Sequence, residues 1–195
     1  MSKHLAILSI LLVSILNNMY SQHLEYDIIW LGKVGKLQID KSIDKGSLFI
    51  ETNSEVRIPF FRFNWITSTV VKNGKLQYSN YRQLLNDKDR EFTEINYAAD
   101  NLWQVTDNEG RNYEIQINEP FYVSRMYFEE PVNEKLIFSE RFGQPLELIN
   151  NGNGHYKLIL PDNNYCEYFY ENGVCKIVTA KNGSRTIKMI LSEKT

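Results

Sequence analysis

FRFNWITSTVVKNGKLQYSNYRQL, residues 61–84, reads as two strands and a turn. Phe61, Phe63 and Trp65 alternate with Arg62 and Asn64, so an extended backbone sends the aromatics to one face and the polar residues, with Phe60, to the other. Asn73-Gly74 then interrupts the run, and glycine accepts the positive φ that a tight hairpin turn requires. Strands joined by so short a turn must lie antiparallel. The same grammar recurs along the chain. Strands are predicted at Glu25–Leu31, Gly35–Ser42, Ser47–Arg57, Phe61–Val71, Lys75–Leu84, Glu91–Tyr97, Leu102–Thr106 and Asn112–Ile117, then at Gly154–Leu160, Tyr165–Glu171, Val174–Ala180 and Thr186–Leu191. Glu109-Gly110, Asn172-Gly173 and Asn182-Gly183 supply further turns. Twelve Tyr and ten Phe suit a pleated surface, where flat side chains pack well. The fold class is therefore all-β, an antiparallel meander.

The N-terminus carries a different signal. A basic head (Lys3, His4) precedes an apolar run from Leu5 to Leu16 and the polar NNMYSQ, the layout of a secretory signal peptide. A spanning helix needs about 20 apolar residues, and this run is shorter and interrupted by Ser9 and Ser14. Cleavage after Ser21 is predicted, with residues 22–195 forming one β-rich domain. An uncleaved anchor is the alternative, because Met19 is large for the position two before Ser21. The first cysteine is Cys166, far from the apolar run, so a lipid-bearing cysteine beside it is excluded. An exported chain, periplasmic or secreted, without stable membrane insertion after cleavage is the expectation. Removing Lys3 from the 22 basic side chains leaves 21 against 24 acidic ones, a net charge of −3. With no concentrated basic stripe, nucleic acid is not a predicted partner.

NEPFYVSRMYFEEP, residues 118–131, breaks the strand pattern. Pro120 is tolerated in a first helical turn and Pro131 stops a helix, so a short helix near 120–128 is predicted, with a strand as the close alternative. The helix would align Phe121, Ser124, Arg125 and Phe128 along one side.

Few residues offer chemistry. Glu129 and Glu130 are adjacent, which in a strand points them to opposite faces. Glycosidases need carboxyls facing each other about 5–10 Å apart, so this pair reads as turn carboxylates with Arg125 and Arg141 as partners. His23 and His155 are the two histidines of the mature chain. No His pair has ligand spacing, and no metal site is predicted. Ser124 and Ser139 lie outside any G-x-S-x-G elbow. LGKVGKLQ fails the phosphate-loop spacing and leads into a strand, so it reads as a glycine-assisted turn between the first two strands. No cofactor and no catalytic residue is predicted. A two-residue turn at Asn172-Gly173 would set Tyr170 opposite Cys175 and Cys166 opposite Thr179. The sulfurs would then be about 13 Å apart, beyond disulfide reach. Two buried free thiols are expected, unless a bulge or longer loop changes the register.

YFEEP, FSERFG, YKLILPDNN and YFYENGVC together resemble an exported bacterial family of unknown function, of the Bacteroidota type. The opening EYDIIWLGKVGKLQI is also distantly similar to another envelope family of unknown function. The resemblance implies a strongly curved antiparallel sheet, open or nearly closed as a barrel, with a short helix near its concave side, and carries no catalytic residue. Two functions from different classes follow. The first is a noncatalytic envelope protein holding a hydrophobic or lipid-like molecule on the concave face, with Phe61, Phe63, Trp65, Arg125 and Tyr127 as ligand-binding candidates; the alternative for the three alternating aromatics is plain core, together with Trp30, Trp103 and Tyr113. The second is a structural or adaptor module docking another envelope protein. An enzyme ranks third, because its site would need Arg, Glu and Tyr alone. A pocket beneath the aromatic strand would favour the first, a filled interior with an exposed apolar patch the second.

Overall fold

The computed structural model describes residues 20–118, 120–161 and 164–192. The predicted leader, 1–21, lies outside them except for Tyr20 and Ser21. Eight strands lead the chain: β1 (Ser21–Ile29), β2 (Lys33–Asp44), β3 (Ser47–Ile58), β4 (Phe61–Lys72), β5 (Lys75–Leu85), β6 (Lys88–Ala99), β7 (Leu102–Asp107) and β8 (Asn112–Gln116). A 3-10 turn at Val123–Tyr127 follows. Then come β9 (Leu136–Ser139), β10 (Gln144–Gly152), β11 (His155–Ile159), β12 (Tyr165–Glu171), β13 (Val174–Asn182) and β14 (Arg185–Leu191).

All fourteen strands form one antiparallel sheet in the order β8 to β1, then β14 down to β9. The first and last strands meet in its middle, with Tyr26 opposite Leu191 and Ile29 opposite Lys188. The two edges, β8 and β9, are therefore consecutive in the chain, and the connection between them must travel from one edge to the other. It does so through the interior. Its Tyr127 ring packs on Tyr26 of β1 and Tyr168 of β12, while the turn after β9 bonds β6 through Thr93 and Arg141. One segment can touch both halves of the sheet only because the sheet curls around it. The barrel-like sheet is not closed, and Tyr113 of β8 reaches across the seam to donate to the Phe142 carbonyl at 3.3 Å.

Period-two alternation puts Tyr26, Ile28, Leu37, Ile39, Ile50, Leu76, Ile95, Trp103 and Val105 on the inner face, all buried. There they meet Phe121 and Met126 from the connection and Ile137 and Phe138 from β9.

Four expectations change. The helix near 120–128 is a single 3-10 turn starting at Val123, because Tyr122 ahead of it is extended and bridged to Phe138. Two strands, β9 and β10, lie in residues 132–153, a stretch for which the sequence predicts no strand. A bulge between Phe169 and Tyr170 moves Cys166 opposite Ala180 instead of Thr179, while Tyr170 stays opposite Cys175. Both thiols are free, since the bulge does not shorten the four-residue offset between them. The turn between β1 and β2 is built on Leu31-Gly32, and Gly35 belongs to β2. There a Cβ would run into the Glu55 carbonyl, so Gly35 allows close strand approach.

Candidate functional site

The turns after β1, β3, β5 and β7 lie at one end of the curled sheet, here called the mouth. Phe61, Phe63 and Trp65 start β4 at this end and share its inner face with the buried Thr67, Thr69 and Val71. Their rings form a ladder. Phe61 and Phe63 centroids are 6.2 Å apart, and Phe63 stacks on Trp65 at 6.4 Å with planes 13° apart. Burial falls towards the rim, where Phe61 is 47% exposed while Phe63 and Trp65 are half-buried. Deeper in, the strand turns to small hydroxyl residues because the connection fills that part of the interior.

Register places a polar row beside the ladder. Trp65 faces Gln83 on β5, and Gln83 faces Glu91 on β6. Arg141 closes the row, its guanidinium bonded to both Glu91 carboxylate oxygens at 2.9–3.2 Å and lying over the Phe142 ring at 4.8 Å. The aromatic ladder thus passes into a neutral ion pair.

The connection is held by a different device. Glu140, buried at the end of β9, accepts hydrogen bonds from the Val123 and Ser124 backbone N–H groups at 3.1 and 3.0 Å, satisfying donors at the start of the 3-10 turn. Burial raises its pKa from the ordinary carboxylate value, and the hydrogen bonds offset part of that rise. The Tyr170 hydroxyl donates to the Met126 carbonyl at 2.7 Å. Arg125 pairs with Glu129 at 2.8 Å and lies over the Phe121 ring at 4.5 Å. Glu130 accepts from the Tyr156 hydroxyl at 2.8 Å. Glu129, Glu130 and Glu140 therefore each have a partner.

The five residues singled out from sequence divide into two places. Phe61, Phe63 and Trp65 line the mouth together, whereas Arg125 and Tyr127 sit in the packed corner. Glu140 has the larger structural role there. Its only sequence signal is a carboxylate directly after the apolar LIFS run.

Two grooves lie on the rim. One of about 520 Å³ is lined by Asn80, Arg82, Asp89, Arg90, Glu91, Phe92 and Asn108. The other, about 380 Å³, runs along Arg57, Ile58, Phe60, Phe61, Arg62, Asn86 and Asp87. The first touches none of the ladder rings, and the second only Phe61 at the rim. Among the described residues no three His, Cys, Asp or Glu side chains converge as a metal-binding group.

A family model described as "Domain of unknown function (DUF6134)" matches residues 26–192. Among solved structures, the chain is similar to a beta-barrel-like protein of domain of unknown function DUF1849 from Brucella abortus. The TM-score is 0.52 at 9% identity, over 90% of this chain and 97% of that one. At that identity the likeness concerns the fold alone. No curated protein matches.

Proposed function

Because the chain belongs to the DUF6134 family, whose function is unknown, no activity comes with its lineage, and we propose from the site that it is an exported, noncatalytic binding protein. Its guest is a hydrophobic or lipid-like molecule laid along Phe61, Phe63 and Trp65. The observation that carries this reading is the half-covered ladder: three aromatic rings in file on the inner face, left open at the mouth. An aromatic side chain offers about 150–250 Å² of contact, and rings in file suit an extended apolar chain better than a compact ligand. Tyr127 and Arg125 support the ladder from a distance by fixing the corner that fills the interior behind it.

Native mass spectrometry of the protein purified from its own host tests this. A retained apolar small molecule, lost in a Phe63→Ala/Trp65→Ala variant that still folds, is the expected result. A ligand-free parent that also takes up no added acyl chain refutes it.

A second reading, an adaptor that docks another envelope protein, is favoured by the two rim grooves, neither of which is lined by Phe63 or Trp65. A co-purifying protein in place of a small molecule would select it.

A further inference from the structure

Two residues at the mouth contradict the local rules followed elsewhere in the molecule. Leu31, at the tip between β1 and β2, has φ 55 and is 97% exposed, and Phe60, at the tip between β3 and β4, has φ 71 and is 92% exposed. Positive φ costs a bulky side chain energy. Every other non-glycine residue with positive φ among the described ones is Lys, Asn or Asp. Phe60 follows Pro59, the arrangement of a type II turn whose next position ordinarily takes glycine. Both exceptions are apolar, almost fully solvated, and on neighbouring hairpins at the same end. Backbone strain kept together with exposed apolar surface points to a contact made outside the folded chain.

The geometry points to a lipid bilayer as that contact: the two tips dip into the interfacial layer of a membrane with an uncharged or zwitterionic surface, bringing the mouth against it. Two features select this occupant. Single side chains on separate projecting tips supply far less than the ~1,200 Å² that a stable protein interface buries, whereas a fluid bilayer needs no matching surface. The cations just behind the tips are each paired, Lys33 with Asp27 at 2.6 Å, Arg57 with Glu55 at 2.5 Å and Arg62 with Asp87. The rim therefore carries balanced charge at headgroup depth and does not call for anionic lipid. This inference goes beyond the proposed ladder ligand and stands or falls without it.

Quenching of tryptophan fluorescence by phosphatidylcholine vesicles with brominated acyl chains reads the contact locally. Trp30 adjoins Leu31 and Trp103 is fully buried and bonded to the Leu76 carbonyl at 2.8 Å, so the measurement is made on a Trp65→Phe parent, in which a guest on the ladder is not read. The full chain should be quenched, with little dependence on salt. Phe60→Gly and Leu31→Asn, both suited to positive φ, should each weaken vesicle binding about tenfold or more without lowering the melting temperature. Phe60→Trp should tighten it, because tryptophan favours the interface. Quenching that is absent from the parent, or unchanged in all three variants, overturns the proposal. So does a concentration-dependent dimer, formed without vesicles, that Phe60→Gly abolishes, because the tips would then serve self-association.

Discussion

Gly143 shows how one residue holds two parts of the fold together. It follows β9 with φ 60, and a Cβ there would lie 2.5 Å from Val105 Cγ1 and 2.8 Å from the Tyr113 hydroxyl. Gly143→Ala therefore meets both a strained backbone and an occupied space. A loss of about 1–3 kcal/mol is expected in chemical denaturation. Glu140 makes a pH-dependent contribution whose sign follows from burial. Its pKa is raised in the folded state, so between the ordinary carboxylate pKa and the raised one the native protein holds a proton that the unfolded chain has released. On this group's account stability rises as pH falls through that window and levels off below it. The half-buried Asp27 and the exposed Asp87 and Asp89, lowered by hydrogen bonds from Lys33, Arg62 and Arg82, act oppositely, losing stability as pH falls. The parent and Glu140→Gln should therefore differ in the slope of stability against pH over the window, and parallel curves would refute this account. The thiols give a third test. Burial pushes Cys166 and Cys175 each up to about 12, so thiolate is scarce at neutral pH. Both should resist alkylation until the chain is denatured, then titrate as two free thiols.

At the scale of the element, the connection from β8 to β9 is stabilised by what it touches and not by its own helicity. Five residues of 3-10 turn have no independent stability. Glu140, Tyr170 and the rings of Tyr26 and Tyr168 supply the restraints. Tyr170→Phe removes the donor to the buried Met126 carbonyl and should cost about 1–3 kcal/mol. Replacing Glu129 and Glu130 by Gln should cost little, because an exposed pair such as Arg125–Glu129 contributes about 0–1 kcal/mol. Equal losses in the two variants would mean that the outer pairing, not the inner hydrogen bond, fixes the corner. The short helix read from Pro120 and Pro131 located this element but not its form. Proline spacing reports where a helix can begin and end, whereas the extended Tyr122 is set by its bridge to Phe138, a partner that local sequence does not reveal. The strand β9 is hidden for a related reason, whereas in β10 Leu146-Glu147-Leu148 does alternate, beside Pro145. Leu136–Ser139 is almost wholly buried after its first residue, so the two-residue alternation that marks a half-solvated strand is missing.

Across the whole molecule, the order of the strands decides which backbone opens first. β1 and β14 are neighbours at the middle of the sheet, while β8 is an edge whose residues are mostly exposed. Hydrogen exchange should therefore be fastest in Asn112–Gln116 and slow in β1 and β2, as expected when opening follows local contact and burial. Uniform protection would indicate that the seam between β8 and β9 is sealed by more than the Tyr113 contact. Sequence alone determined twelve of the fourteen strands, their antiparallel pairing through short turns and the grouping of Phe61, Phe63 and Trp65 on one face. Each of these follows from period-two geometry and glycine at tight turns, which act over a few residues. Tertiary structure decided that Tyr26 meets Leu191, that the 121–143 segment fills the curled sheet, and that the ladder stays half open while Tyr127 is buried. Those outcomes depend on pairing between residues far apart in the chain and on how much interior volume the connection occupies. Neither quantity is written in any local pattern.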